Sequence, residues 1–175
     1  MTQPEQEFIK VRLGKIESLR ARGINPYPAR FARTHTSAEA VDLFERSEKD
    51  ATDEPVKATI AGRIIARRDM GKATFIDVSD SAGAIQIMFR ENLLSEKYDL
   101  LEYFDIGDWL GASGSLFRTR TGQVTLQVEN FEMLCKSLRP LPEKWHGLTD
   151  IETRFRQRYL DLISNPDAIK SARSR

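Results

Sequence analysis

At Val56 the spacing of apolar residues changes from the three-to-four of a helix to a period of two, and with one interruption it keeps that period to Leu134. Val56, Ala58, Ile60, Gly62 and Ile64 alternate with their neighbours. After a loop at Asp69–Lys72, Thr74–Ser79 and Ala84–Phe89 read as two more strands around the turn Asp80-Ser81-Ala82-Gly83. The interruption is Glu91–Phe104, where Leu94, Tyr98, Leu101 and Phe104 fall on one helical face and Gly107 marks the end. Asp108–Arg118 and Gln123–Leu134 then form a fourth and fifth strand joined at Thr121-Gly122. Gly111 and Gly114 inside the fourth strand predict sharp bending, as closing a small barrel requires.

Three strands, a helix and two strands make the pattern of a five-stranded OB barrel, which binds oligonucleotides on the face of its second and third strands. A generic α+β sheet is the rival, and the strand-four glycines favour the barrel. The expected fold is therefore mainly β: an OB-fold barrel over residues 55–137, an N-terminal helical extension over 1–54, and a linker and helix over 138–175. In the extension, Glu5–Arg22 carries Ile9, Leu13, Ile16 and Leu19 at helical spacing, with Gly23 as C-terminal cap. Ile24–Pro28 must be extended, because each proline biases its predecessor away from helix. Ser37 is the expected N-cap of a helix to about Lys49, followed by a polar linker, Asp50–Pro55. Beyond the barrel, Leu138-Arg139-Pro140-Leu141-Pro142 is irregular, and Glu152–Ile163 resumes helical spacing before Pro166. This Arg-rich C-terminal stretch reads as the start of something larger, so the chain is expected to be the front part of a longer protein.

Charge is distributed unevenly around a net of only +1. Phe8–Arg33 holds seven Lys/Arg against one Glu, Glu39–Glu54 seven acids against two bases, and Lys136–Arg175 nine bases against five acids. Two basic patches thus flank a neutral middle. The single Cys135 follows an apolar run and is expected to be a buried, inert thiol. One Cys and two distant His, His35 and His146, make no metal cluster. Met1–Glu7 is too polar for a signal peptide, and no apolar run approaches the ~20 residues of a membrane span. The expected location is cytoplasmic. Gly71-Lys72 lacks the spacing of a phosphate-binding P-loop, and no catalytic constellation is visible.

Alternation nominates the binding residues. In strand two Ile76 and Val78 point inward, so Phe75 and Asp77 point out. In strand three Ile85, Ile87 and Phe89 share one face, and Gln86 and Met88 the other. If Ser79 stands opposite Ala84, Phe75 lies opposite Met88 and diagonal to Gln86, within ~7–8 Å. An exposed ring is a platform for an unpaired base, and an amide offers donor and acceptor to a base edge. Periodicity equally allows Phe75 to pack under the N-terminal helix, with Gln86 as plain surface. Arg67 and Arg68 at the end of strand one, and Arg118 and Arg120 on the last hairpin, could grip phosphates or form solvated edges.

Several strings resemble the N-terminal, anticodon-binding part of the class II lysyl-tRNA synthetases. They are Ala61–Phe75 (AGRIIARRDMGKATF), Ile85-Gln86, Leu116–Leu126 (LFRTRTGQVTL), Leu138–Pro142, and His146-Gly-Leu-Thr with Arg156–Asn165 (RQRYLDLISN). Leu19-Arg20 and Gly23–Pro28 are similar to the family's first segment. The resemblance implies that Phe75 and Gln86 contact the central uridine of the lysine tRNA anticodon. It implies a Glu near the end of strand five, where this chain has Asn130 preceded by Glu129. Either Glu129 substitutes through a small bulge, or Asn130 supplies the hydrogen bond, or the contact is missing; Glu129 is preferred. Arg67 and Arg68 complete the expected RNA-binding set.

The resemblance further implies a parent that uses ATP and Mg2+ to attach lysine to tRNA, and that dimerises. The downstream catalytic domain is absent here, so this segment is expected to bind the anticodon stem-loop without cofactor and without catalysis. A free-standing OB module that binds single strands without reading them is the alternative. A purely structural piece mediating dimer contacts is a third reading.

Overall fold

The computed structural model describes residues 3–51, 54–141, 148 and 150–174, of which Pro4, Pro166 and Arg173 have no described side chain. His146 and the start of the motif that follows it lie outside the described residues. Two compact units are present, Met1–Leu138 and Arg139–Arg175.

In the first unit, β1 (Lys57–Met70), β2 (Ala73–Ser79), β3 (Ala84–Arg90), β4 (Trp109–Arg118) and β5 (Val124–Cys135) close a barrel in the order β1-β2-β3-β5-β4. One long strand makes closure possible. The first half of β1, Lys57–Arg63, pairs with β4, and the second, Arg63–Met70, pairs with β2 across a bulge between Ile64 and Ala66. A parallel pairing of β3 with β5, Gln86–Met88 against Thr125–Gln127, seals the ring. β1 runs further than alternation suggests: Met70 still pairs with Ala73, and the turn is Gly71-Lys72, where Gly71 takes φ +60°.

Alternation delivers the core. Ile60, Ile64, Ile76, Ile87, Phe89, Leu110, Leu126 and Val128 are fully enclosed. Phe131 packs edge-on against Phe89, with ring centres 5.1 Å apart, and against Phe104 at 5.7 Å. The expected helix after β3 is a short α3 (Glu91–Leu94) and then a 3₁₀ helix, Ser95–Tyr103, broken at Ser95, whose φ is +49°. Leu94, Leu101 and Phe104 plug one end of the barrel. The β4 glycines permit close approach rather than a simple bend. A Cβ on Gly114 would stand 1.9 Å from the Gln127 carbonyl oxygen, and one on Gly111 would strike the Phe31 ring at 2.5 Å.

α1 (Gln3–Ala21) ends as expected: the Gly23 N–H reaches the Arg20 carbonyl and the Ile24 N–H that of Leu19, with Gly23 at φ +75°. α2 (Ser37–Lys49) differs from expectation at its start. Thr36 is the N-cap, in a reciprocal capping box with Glu39. Ser37 is buried, and its N–H and hydroxyl both donate to Asp80, at 2.7 Å each. The Asp80 carboxyl also accepts from the Ala82 and Gly83 N–H groups. Burial would raise its pKa, but these four donors outweigh burial and hold it below the ordinary value.

α1 is fastened to the end of the barrel that carries the 3₁₀ helix, by buried and half-buried charges. The wholly buried Lys136 ammonium donates to the Tyr103 carbonyl at 2.8 Å, to Asp108 at 2.7 Å and to Asp105. Lys15 of α1 bonds Asp105 at 2.7 Å, and Arg12 of α1 donates to the Ser137 carbonyl at 2.7 Å and that of Ile106 at 3.2 Å. Cys135, expected to be buried, is half-exposed beside this cluster.

The second unit holds α4 (Ile151–Arg156), α5 (Arg158–Ser164) and α6 (Pro166–Arg173). The single helix expected here breaks at Gln157, and Pro166 begins α6. The buried Asp161 carboxylate accepts from Arg154, Arg158 and Asn165 and joins the pieces.

Candidate nucleic-acid interface

β2 and β3 pair with Ser79 opposite Ala84, the register that alternation suggests. Phe75 therefore stands opposite Met88, and Asp77 opposite Gln86. Across the other edge of β3, Gln86 faces Thr125 and Met88 faces Gln127. Arg68 of β1 pairs with Phe75, so it joins the same outer face. These side chains form one patch spanning four strands, on the outside of the barrel and opposite its apolar core.

The patch is less open than alternation alone implies. Phe75 is half-buried, Gln86 is only 8% exposed and Met88 is buried. β3 lies between two paired strands, so the side chains of β2 and β5 flank it on both sides. Gln86 is nevertheless outside the core, since its neighbours Ile85 and Ile87 occupy the interior. Its Oε1 accepts from the Thr125 hydroxyl at 3.0 Å. Arg68 forks onto Asp77, with Nη1 and Nη2 each 3.1 Å from a carboxylate oxygen.

The remaining candidates separate from this group. Arg67 turns to the barrel end, where its Nη1 donates to the last-turn carbonyls of the 3₁₀ helix, Leu101 at 2.6 Å and Phe104 at 3.1 Å. Its Nε bonds Asp69. Arg118 forks onto Glu48 of α2 and lies over Phe44.

A bulge does form at Glu129, because Ser113 pairs with Asn130 while Gly114 pairs with Val128. The bulge leaves Glu129 and Asn130 both exposed. Glu129 turns toward β4 and β1, accepting from Ser115 at 2.7 Å and Lys57 at 3.1 Å. The Ser115 hydroxyl first, and Lys57 next, hold its carboxyl below the ordinary range. Asn130 accepts from Lys97 of the 3₁₀ helix at 2.9 Å. Thr125 and Asp77 were not singled out by the sequence reading. The parallel β3–β5 register that recruits Thr125 joins residues far apart in the chain and leaves no local signal.

A closed five-stranded ring with an aromatic and polar patch on β2–β3 has the architecture of an oligonucleotide-binding barrel. Residues 58–134, the span of the barrel, match the family of OB-fold nucleic acid binding domains. Over 94% of its length the chain is 51% identical to a lysine--tRNA ligase of Dehalococcoides mccartyi and 52% identical to one of Carboxydothermus hydrogenoformans. It is 43% identical to that of Bacillus subtilis over 91% of its length. The chain spans about a third of the length of these curated relatives, 32–33%. Among the described residues no helix is long and apolar enough to cross a membrane.

Proposed function

We propose that this chain recognises the anticodon of lysine tRNA and serves a class II lysine--tRNA ligase. The observation that carries the reading is the juxtaposition, by register, of the half-buried Phe75 ring with the Gln86 amide on the outer face of an OB barrel. The ring stacks the central anticodon base, splayed from its loop, and the amide reads its edge. Arg68 stands beside Phe75, with its side chain 49% exposed, and supplies positive charge at the rim while it holds Asp77. Asn130, further along β5 and bonded to Lys97 of the 3₁₀ helix, would contact a neighbouring part of the loop. Glu129, turned toward Ser115 and Lys57, is left out of the base contact.

Aminoacylation would belong to the parent. ATP and Mg2+ would activate lysine in its catalytic domain, and the parent would act as a cytoplasmic homodimer. This chain's part would be binding and positioning.

The test is a titration of the lysine-tRNA anticodon stem-loop, and of the same loop with its central base replaced, at one fixed salt concentration. The uridine-centred loop is expected to bind more tightly, by roughly 1–3 kcal/mol. Equal affinity for both loops would leave an OB module that binds single strands without reading them. No binding at all would leave a structural element.

A further inference from the structure

A glutamine amide can face a ligand in two ways. With Nε2 outward it offers two donors; with Oε1 outward it offers an acceptor. We infer that Thr125 decides between these two states and thereby sets which base the shelf accepts. This rests on the shelf being the base-binding site proposed above.

Thr125 is wholly enclosed and stands directly across the parallel β3–β5 pairing from Gln86. Its hydroxyl carries one proton, which goes to Gln86 Oε1 at 3.0 Å. The competing acceptor, the Gln123 carbonyl, is 3.4 Å away, beyond the usual range for a hydroxyl donor. Oε1 is thus held inward. The opposite neighbour of Gln86 is Asp77, a carboxylate that would draw the amide NH2 sideways if its oxygens were open. Arg68 forks onto both of them and neutralises the carboxylate's charge, which weakens that pull. Gln86 Nε2 donates no hydrogen bond among the described residues and is not sealed from solvent. Two neighbours therefore leave the amide's donors facing the ligand.

A pair of fixed donors selects for a carbonyl on the base edge. Uridine presents O4 there as an acceptor. Cytidine presents an amino group at the same place, and a donor then meets a donor. A buried polar group that finds no partner is what makes such discrimination effective. Thr125 is a positioning residue: it touches Gln86, and Gln86 touches the base.

The experiment measures affinity of the full chain for a uridine-centred anticodon stem-loop and its cytidine-centred twin at one salt concentration. Thr125→Val keeps the shape and removes the proton. It should lower the uridine-to-cytidine ratio roughly tenfold, the size of one hydrogen bond, and leave the salt dependence unchanged. Thr125→Ser should restore the ratio. Gln86→Glu adds a second arm that does not depend on the valine variant folding. Thr125 would still hold one carboxylate oxygen, the other would face out as an acceptor, and the preference should move toward cytidine. A Thr125→Val protein that keeps the wild-type ratio overturns the inference, as does a Gln86→Glu protein that still prefers uridine. Wild-type protein that binds both loops equally would instead sink the reading of the shelf itself.

Discussion

Two polar regions of the first unit are built on opposite principles. At the barrel end, Arg12, Lys15, Asp105, Asp108 and Lys136 spend their charges on one another and on main-chain carbonyls. On the outer face of β2, β3 and β5, Thr125 and Arg68 tie down only part of the polar capacity of their neighbours, leaving the Gln86 donors unpaired beside the half-buried Phe75 ring. Saturated charge holds α1 to the barrel. Unspent capacity beside an apolar ring, held still by its neighbours, is what a ligand can use. The contrast separates a cluster that fastens the fold from a patch with polar capacity left for a ligand.

The comparison breaks most visibly at Lys136. Lys136→Met should cost about 3–5 kcal/mol of folding stability by urea denaturation, because it strands the buried Asp108 carboxylate, while RNA affinity of the folded protein stays unchanged. A loss below ~1 kcal/mol would mean the cluster is not the fastening described. Phe75→Ala should do the reverse. Stem-loop affinity falls by roughly 1–3 kcal/mol, and the melting temperature hardly moves, because the ring is half-exposed. A stability loss with unchanged binding would make the ring a packing residue and erase the distinction.

The smallest effect sharpens it. Asp80 belongs to the saturated class, and its donors hold its carboxyl below the ordinary value. A depressed folded-state pKa stabilises above the unfolded pKa and loses that contribution as pH falls through the folded one. Asp80→Asn should therefore cost about 1 kcal/mol at neutral pH. The gap to wild type should close only below the ordinary carboxylate range. A gap that persists unchanged into strong acid would show that the Asp80 charge contributes nothing.

Much of this architecture was legible in the sequence, because a strand that buries one face must repeat every two residues. The inward faces of Ile76, Val78, Ile85 and Ile87 followed from that, and Phe75 opposite Met88 followed once Ser79 was set against Ala84 across the turn. Local stereochemistry misled by one residue at α2, where Thr36 and Ser37 are both good caps; a contact with the distant Asp80 claims Ser37. The expectation of Arg67 on the RNA side rested on charge at a strand end, a signal that cannot tell a phosphate from the carbonyls of a helix terminus. The bulge was foreseen as an option at Glu129, but its direction depended on Ser115 and Lys57, which lie on other strands.

The succession of strands and helices and the alternation of faces along each strand were determined by the chain alone, since they follow from periods of two and three-to-four set by backbone geometry. Tertiary structure decided how far Gln86 is covered, which way its amide faces and which arginines remain available. Those outcomes depend on the parallel contact between β3 and β5 and on pairings of residues remote in sequence, and no local pattern encodes them.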